Sequence, residues 1–447
     1  MLSIPHLSAA LLPRQFLLYQ IFETSMSSPS FAGSVPKPVS EPSFAEFVLV
    51  IALMMGLISL SIDNLLPAFA SIRSYFGVAD ANSMQLILTA YMAGFAVMQL
   101  VWGPVSDTIG RRKVLMLGLV IYTAGTLLAI VSPNYETLLL ARAVQGMGGA
   151  AARVLSVAII RDRYNGRDMA RVMSLTMMIF IIVPVIAPAT GSAFLVLGSW
   201  HYIFMSMLAL VLVVVVWFGL RMPETLHPEY RRRLSIPNVA SGIRRVMTNR
   251  ASITNTLAMG LAMGCLMTYL GSAQQIFETD IYKLGHLFPL AFAMIAICMG
   301  TASFTNSRLV KRLGMHRLSR FGMVGFTVMA AVLLAEAYVY GGRPPLLVFG
   351  LSMGLAHFLL SLTMPNFNTL AMEPVGDIAG TASSFIGCVT TLMGAVIGGV
   401  IGEAYDGTIF PLACGYLGLS SLCLLVLLWS GKSERVSSCA PVIIAGE

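Results

Sequence analysis

The sequence predicts an all-α membrane protein in which twelve transmembrane helices form two pseudo-symmetric halves of six. The chain has 447 residues, of which 57% are hydrophobic and only 11% are charged, whereas about a quarter of the residues in a soluble domain are charged. Apolar runs of about twenty residues, the length that crosses a bilayer as a helix, recur along the chain. A short basic loop also occurs once in each half, and a repeated loop indicates a repeated half.

The predicted spans divide evenly between the two halves. Those of the first half cover residues 47–72, 84–102, 114–131, 138–160, 169–196 and 202–220. Those of the second half cover residues 253–276, 287–306, 318–340, 346–363, 379–405 and 409–429. The resulting organisation is a disordered cytoplasmic tail (1–43), a six-helix bundle (44–220), a cytoplasmic linker (221–250), a second six-helix bundle (251–430) and a cytoplasmic C-terminal tail (431–447).

Residues 103–113 (GPVSDTIGRRK) form the basic loop, which joins the second and third predicted spans. Gly103, followed by a proline, ends the incoming helix, Gly110 permits a tight turn, and three cations from Arg111 to Lys113 begin the next helix. A fainter copy, residues 306–317 (NSRLVKRLGMHR), follows the eighth span. Because the cations of short loops stay on the cytoplasmic side, we predict that both loops, the arginine-rich linker and both termini are cytoplasmic.

Several other classes of function have little support in the residues. The net charge of +8 comes from loop cations, which topology explains without a nucleic-acid partner. The six cysteines form no zinc-binding or disulfide pattern, so we expect neither a metal nor another cofactor. Residues 146–151 (GMGGAA) and 350–354 (GLSMG) imitate enzyme motifs but lie inside apolar runs with no preceding strand. An intramembrane hydrolase that uses Ser352 and His357 remains the enzyme alternative.

Asp63 stands inside the first predicted span. A carboxylate at that depth is costly unless it is paired, hydrated or protonated, so it indicates a functional role. Apolar surroundings favour its neutral form, which suits a group that takes up and releases a proton. Alternatively, Asn64 and Pro67 break the helix and Asp63 caps the break. Both roles remain open at the level of sequence.

The fourth predicted span carries a polar stripe. At about 100° per residue, Arg142, Gln145 and Arg153 fall on one side of the helix. Such a stripe faces a wet cavity or another helix rather than lipid, although Arg142 could instead extend to the membrane surface. We expect Arg142 or Arg153 to tune a proton site at Asp63, and the alternative for Arg153 is a structural role at the helix end.

The remaining embedded polar side chains are candidates for a substrate cavity. Together with Gln145 they are Tyr91, Gln99, Gln274 and His357. For His357, a hydrogen-bonded place in the core is the favoured alternative.

Small residues and prolines mark the fifth and eleventh predicted spans. Pro184, Pro188 and Gly191 lie on one side of the fifth span, and glycines at positions 387, 394, 398 and 402 lie on one side of the eleventh. Such residues let helices approach closely in lipid. They serve either ordinary helix packing or a hinge and a smooth seam on which the two halves rock.

Several motifs together resemble one family. Residues 103–113 resemble the loop signature GxxxDxxGRR/K of the major facilitator superfamily, residues 140–146 (LARAVQG) are similar to its fourth-helix RxxQG motif, and residues 184–191 (PVIAPATG) resemble its antiporter motif. Ala187 and Ser192 stand where that last motif usually has glycine. More narrowly, residues 60–67, 161–162, 199–204, 223–226, 306–308 and 379–384 are similar to the bicyclomycin-resistance (Bcr/CflA) subfamily of drug:proton antiporters.

The resemblance implies a major facilitator fold in a bacterial inner membrane. Such a protein is a transporter and not an enzyme, and it exports small, largely apolar drugs or metabolites by alternating access, as a monomer driven by the proton gradient. Asp63 would be the proton site and Arg142 the fourth-helix arginine. The implied conformational latch against the eleventh helix consists of Gly103, Asp107, Gly110, Arg111 and Arg112. The main alternative is a facilitator or importer of a metabolite with the same fold.

Overall fold

A computed structural model describes residues 42–164, 166–226, 229 and 235–437. Within these residues the secondary structure is entirely helical. The predicted N-terminal tail lies outside the described residues except for Pro42 and Ser43, and Ser43 caps the first helix by accepting from the Glu46 N–H. Of the predicted C-terminal tail, residues 431–437 continue the last helix, which ends at Ser437, and residues 438–447 lie outside the description.

The helices of the first half form six spans. In chain order they are Phe44–Phe76, Asn82–Ile109, Arg111–Ile130, Tyr135–Arg163, Gly166–Val196 and His201–Arg221. The first span comprises helix Phe44–Asp63, a 3-10 turn Leu66–Ala68 and helix Phe69–Phe76.

The helices of the second half form six more spans after a short helix in the linker, Ile236–Thr248. In chain order they are Arg250–Thr279, Gly285–Leu313, Met315–Val339, Leu346–Met372, Ala379–Glu403 and Phe410–Ser437. The seventh span ends in six residues of π-helix, Gln274–Thr279. A 3-10 segment, Glu373–Ile378, joins the tenth span to the eleventh.

The prediction of twelve spans agrees with the structure, but two predicted helix ends were wrong. The second span was predicted to end at residue 102, with Gly103 and Pro104 stopping the helix, whereas the helix continues to Ile109 with both residues inside it. The tenth span was predicted to end at residue 363, ahead of Pro365, but the helix continues to Met372 with the proline inside it. A proline removes only one backbone donor from a helix. Here the Asn366 side chain donates to the Leu362 carbonyl oxygen at 2.9 Å, and Thr369 donates to the Pro365 carbonyl oxygen at 3.0 Å, which adds local support.

The two halves pack in the same way. In the first half, the first span packs on the fifth, the second and third pack on the fourth, and the third packs on the sixth. In the second half, the seventh packs on the eleventh, the eighth and ninth on the tenth, and the ninth on the twelfth. Between the halves, the second span packs on the eleventh and the fifth on the eighth. This arrangement confirms two pseudo-symmetric six-helix halves.

The two basic loops have the same backbone geometry. Gly110 separates the second span from the third with φ 111° and ψ 150°, and Gly314 separates the eighth from the ninth with φ 76° and ψ 157°. Residues with a side chain rarely adopt these conformations. The repeat seen in the sequence is therefore a repeat in structure, and it requires glycine at both positions.

Candidate functional site

Charged side chains around the basic loop join three elements of the first half. Arg111 is almost fully buried, and its Nη1 lies 2.5 Å from Asp107 Oδ1 and donates to Ser106 Oγ at 2.6 Å. Its Nε donates to Asp162 Oδ2, near the end of the fourth span, at 2.8 Å. We call Asp107, Arg111 and Asp162 the charge cluster. It ties the ends of the second and fourth spans to the start of the third.

The contact of the basic loop with the eleventh span is made at Gly103. A Cβ atom at Gly103 would lie 2.8 Å from the Ser384 hydroxyl, so a side chain at this position would force that hydroxyl to move. The predicted latch of Asp107 against the start of the eleventh span is not a direct bond in this conformation. The first turn of that span has no side-chain cap, and the Asp107 carboxylate is paired with Arg111 one turn further along the chain.

Arg112 lies apart from the charge cluster. Its Nη2 donates to the Gly219 carbonyl oxygen at 2.6 Å, which caps the C-terminal end of the sixth span. The predicted latch residues therefore have separate tasks. Gly103 contacts the eleventh span, the charge cluster holds spans two, three and four together beside that contact, and Arg112 ties the third span to the sixth.

The difference between Asp107 and Arg112 leads to a first prediction. Asp107→Ala removes one of the two carboxylates that hold Arg111, so we expect spans two and eleven to separate more often on this face. Arg112→Ala removes one exposed contact, costs about 1 kcal/mol or less and leaves that equilibrium unchanged. Labelling of a cysteine introduced by Ser384→Cys measures the separation. Equal labelling rates in wild type and both variants would contradict a latch at Asp107.

Asp63 lies at the break in the first span. It is the last residue of helix Phe44–Asp63 and is 5% exposed. Among the described residues, its carboxylate makes no hydrogen bond or ion pair, whereas a capping role would require one. The C-terminal end of a helix also gives a carboxylate no favourable dipole. The break that the sequence indicated is present, and the geometry does not support the capping alternative.

Asp63 also lies at the boundary between the halves. The 3-10 turn that follows it, Leu66–Ala68, packs against the π-helix Gln274–Thr279 at the end of the seventh span. The Tyr269 hydroxyl of that span is buried and has no hydrogen-bond partner in the described part of the chain. An acid in this position is placed to respond to relative movement of the two halves.

Arg142 is fully buried at 0% exposure and does not extend to the membrane surface. Its Nη2 donates to the Ser61 carbonyl oxygen at 2.7 Å, two residues before Asp63, and its Nε donates to the Ile87 carbonyl oxygen at 3.4 Å. Its Nη1 donates to Gln145 Oε1. The guanidinium therefore holds the backbone of the first span immediately before the break.

Neighbouring groups extend this network to the third span. Gln145 Nε2 donates to Thr126 Oγ1 at 2.8 Å, and the hydroxyls of Tyr122 and Ser61 lie 2.5 Å apart. The Arg142 guanidinium carbon lies 4.5 Å from the centre of the Tyr91 ring, which is a cation–π contact. The predicted polar stripe of the fourth span thus contacts the first three spans, and in this conformation it is occupied by protein groups.

Arg153 is half-buried on the same span, and its proposed effect on Asp63 stays a prediction. Between the two arginines, it is Arg142 that the structure joins to the backbone beside Asp63.

The predicted hinge of the fifth span meets the same break. A Cβ atom at Gly191 would lie 2.1 Å from the Asn64 carbonyl oxygen, and the Thr190 hydroxyl donates to Asn64 Oδ1 at 3.1 Å. Pro188 and Pro184 lie inside the same helix, about one and two turns before Gly191. The fifth span therefore supports the chain directly after Asp63, so its glycine serves close packing at the proton-site candidate.

The five residues predicted to line a substrate cavity are all buried, and they do not surround one cavity here. Tyr91 and Gln145 belong to the Arg142 network described above. Gln99 Nε2 donates to Thr391 Oγ1 at 3.2 Å, between the second and eleventh spans. Gln274 lies in the π-helix of the seventh span, and its Nε2 is buried with no partner among the described residues.

His357 has the hydrogen-bonded core position that was the favoured alternative. Its Nδ1 lies 3.1 Å from the Met353 carbonyl oxygen, and its Nε2 lies 3.4 Å from the Tyr416 hydroxyl. Ser352 donates instead to Glu336 Oε2 at 3.0 Å and to the Val348 carbonyl oxygen at 2.7 Å. The serine and the histidine therefore have separate partners, and the geometry gives no support to the hydrolase alternative.

The face opposite to the basic loop is closed by three carboxamide side chains, Asn82, Gln85 and Gln275, which we call the amide gate. Asn82 Nδ2 donates to the carbonyl oxygens of Glu403 and Tyr405, at 2.9 Å each. Gln275 Nε2 donates to Asn82 Oδ1 at 2.8 Å, and Gln85 Nε2 donates to Gln275 Oε1 at 3.4 Å. Because Asn82 and Gln85 belong to the first half and their partners to the second, the gate joins the halves.

Gln85 fits into a cleft that two glycines leave open. A Cβ atom at Gly402 would lie 1.3 Å from Gln85 Oε1, and one at Gly271 would lie 2.7 Å from it. A small cavity lies directly behind the gate, and Thr89, Met92 and Met267 contribute to its lining. Spans two and eleven are thus in contact near both faces in this conformation.

The glycines of the eleventh span have two partners. Gly387 faces Gln99 and Gly402 faces Gln85, both in the other half, whereas Gly394 and Gly398 face methionines of the seventh span in their own half. Two of these glycines therefore face the other half and two serve packing within their own half, and rocking of the halves on this surface stays a prediction.

Two halves related by an internal repeat and meeting around a buried acid define a multi-pass membrane transporter. The model of the Major Facilitator Superfamily matches residues 51–399. The chain belongs to the major facilitator superfamily, whose members are transporters and not enzymes.

Curated relatives cover most of the chain. It is 32% identical to the uncharacterized MFS-type transporter YdgK of Bacillus subtilis over 79% of this chain and 89% of the relative. It is 30% identical to a bicyclomycin resistance protein homolog of Haemophilus influenzae over 82% of this chain and 91% of the relative. It is also 29% identical to the multidrug transporter MdfA of Edwardsiella ictaluri over 72% of this chain and 80% of the relative. The resemblance to drug transporters of this superfamily is confirmed.

Solved structures agree on the fold. The crystal structure of a D-xylose-proton symporter superposes with a TM-score of 0.69 at 15% identity, over 87% of this chain and 97% of that chain. The nucleoside transporter NupG gives a TM-score of 0.65 at 14% identity, over 87% of this chain and 98% of that chain. At these identities the likeness shows the fold alone.

Proposed function

We propose that this chain is a proton-coupled exporter that moves small, largely apolar drugs or metabolites out of the cell while a proton moves in. The observation that carries the proposal is the environment of Asp63. The carboxylate is buried, it has no hydrogen-bond partner in the described part of the chain, and the turn that directly follows it packs against the seventh span of the other half. An acid so placed is stable when protonated and is exposed for exchange only when one face opens.

The orientation follows from the charges. We place the basic-loop face in the cytoplasm, because its loops and the linker carry most of the cations. Both termini then lie in the cytoplasm, and the chain is a monomer in the bacterial inner membrane. The energy comes from the proton gradient, and the mechanism needs no resident cofactor.

The charge cluster and the amide gate act as alternating barriers in this proposal. When the amide gate opens, Asp63 takes up a proton from the outer solution. When spans two and eleven separate at Gly103, the proton leaves to the cytoplasm and a substrate enters. Arg142 holds the first span in place beside the acid throughout this cycle. The prolines and Gly191 of the fifth span support the same segment from the opposite side.

The substrate class rests on the relatives and on the small number of polar groups. Bicyclomycin resistance and multidrug transport appear in the names of relatives that match most of this chain. Among the described residues, charged side chains are few inside the spans, and Met92 and Met267 contribute to the lining of the small cavity behind the gate. Flexible thioether side chains adapt to varied apolar ligands.

Uptake of a panel of compounds into everted membrane vesicles, with and without a proton gradient, tests this function. We expect several apolar compounds to accumulate only when the gradient is present. Accumulation of one defined metabolite without a gradient would favour the facilitator instead. The facilitator is tested as the second candidate because Ala187 and Ser192 depart from the antiporter pattern.

A further inference from the structure

The third span begins without a cap of its own. Its N-cap residue is Gly110, which has no side chain, and its first three residues, Arg111, Arg112 and Lys113, are all cationic. Cations are unfavourable at this end of a helix, because the backbone N–H groups there already carry partial positive charge. The charge cluster depends on this turn, since Arg111 is its first residue. Another part of the chain must therefore stabilise it.

Glu224, in the linker after the sixth span, supplies the missing acceptor. Its Oε1 accepts from the Arg111 N–H at 2.8 Å, and its Oε2 accepts from the Arg112 N–H at 3.2 Å. Oε1 also accepts from the N–H groups of Thr225 and Leu226, at 3.1 Å each. One carboxylate thus binds four backbone donors from two segments. Such charge-assisted bonds are stronger than neutral ones.

The fit of Glu224 also accounts for the glycine in the loop. A Cβ atom at Gly110 would lie 2.4 Å from Glu224 Oε2. Gly110 is therefore required twice, for its positive φ and for the space that the carboxylate occupies. In the second half, Lys311 stands four residues before Met315, as Asp107 stands before Arg111, and Gly314 has no side-chain cap. Among the described residues, the Glu224 arrangement belongs to the first half alone.

The other end of the linker packs against the eleventh span, the helix that the latch meets. Helix Ile236–Thr248 places Val246 against Ala382 and Ile386 of the eleventh span. A Cβ atom at Gly242 would lie 3.0 Å from the Thr381 methyl group. The linker therefore contacts both sides of the region where spans two and eleven meet.

We propose that Glu224 is a positioning residue of the latch: it fixes the first turn of the third span and thereby places the Arg111 guanidinium between Asp107 and Asp162. This inference rests on the alternating access of the proposed function. Glu224 contacts neither substrate nor proton site, and it acts through Arg111. The linker is accordingly part of the mechanism that closes the cytoplasmic face.

The test is a double-variant cycle on the full chain. Ser384→Cys, in a background with the native cysteines replaced, reports separation of spans two and eleven when everted vesicles are treated with a membrane-impermeant maleimide. We expect Glu224→Gln to raise the labelling rate about two- to fivefold, the factor that a charge at a helix end ordinarily contributes. Glu224→Asp, which keeps the charge, restores part of the closure. In an Arg111→Gln background, Glu224→Gln adds nothing further, because both changes act on one element.

Glu46→Gln serves as the matched control. Glu46 bonds Arg221 and Trp217 at the start of the first span and does not contact the basic loop. We expect this variant to leave labelling unchanged. Equal labelling in Glu224→Gln and wild type, or an effect that adds fully to that of Arg111→Gln, overturns the inference. The labelling rate is measured without substrate and without a proton gradient. The result therefore tests the role of Glu224 even if the chain does not export drugs.

Discussion

Asp63→Asn is expected to abolish proton coupling and to leave the fold intact. Asparagine has nearly the shape of aspartate but cannot take up or release a proton at physiological pH. Because the Asp63 carboxylate makes no hydrogen bond among the described residues, the exchange breaks no contact that holds the first span. Proton movement driven by substrate should therefore fall to background in everted vesicles, at expression matched to wild type.

The control for this change is Asp406→Asn. Asp406 is exposed and caps a turn by accepting from the Thr408 N–H at 3.0 Å, so its loss removes the same charge far from the proposed proton site. We expect normal coupling in this variant. Full coupling in Asp63→Asn would remove Asp63 from the mechanism and reopen a purely structural role for it.

Gly402→Ala is expected to open the amide gate. The new methyl group would overlap the Gln85 carboxamide, which is held on its other side by Gly271 and by its bond to Gln275. Overpacking of this kind costs about 1–3 kcal/mol, and a difference of that size shifts a two-state equilibrium by roughly 5- to 150-fold. Thr89→Cys, behind the gate, should then react faster with an impermeant maleimide added from the outside.

Two comparison variants make this result specific. Gly380→Ala lies on the same span, where a Cβ atom would meet nothing within 4 Å, and it should leave labelling unchanged. Gln85→Ala combined with Gly402→Ala should behave like Gln85→Ala alone, because the group that clashes is gone. Labelling of Gly402→Ala at the wild-type rate would show that Gln85 is not part of a barrier.

The fold could be predicted because it depends on local patterns. Each span is an apolar run of sufficient length, and the two loop glycines mark the repeat. The helix ends predicted at residues 102 and 363 were wrong because a proline weakens a helix without always ending it, and Pro104 and Pro365 both lie inside their helices. Whether packing holds such a helix together is visible only in three dimensions.

The candidate site was predictable where one residue is unusual by itself. Asp63 and Arg142 stand out as charges in apolar runs, and the structure brings Arg142 to the backbone beside Asp63. The amide gate and Glu224 could not be found in this way. Gln85 and Gln275 are 190 residues apart, and Glu224 is 113 residues from Arg111. A glutamine or a glutamate near a span end is ordinary until its distant partner is known.

The most direct test of the whole mechanism is the direction of proton movement that substrate causes. Purified protein is reconstituted into liposomes, a transported compound is added on the cytoplasmic face, and the pH inside is recorded. Exchange of compound for proton predicts that the interior becomes more alkaline as the compound enters, in wild type and not in Asp63→Asn. Acidification of the interior as the compound enters would show symport. Entry of the compound with no change in pH would show facilitation. Either result would contradict proton-coupled export.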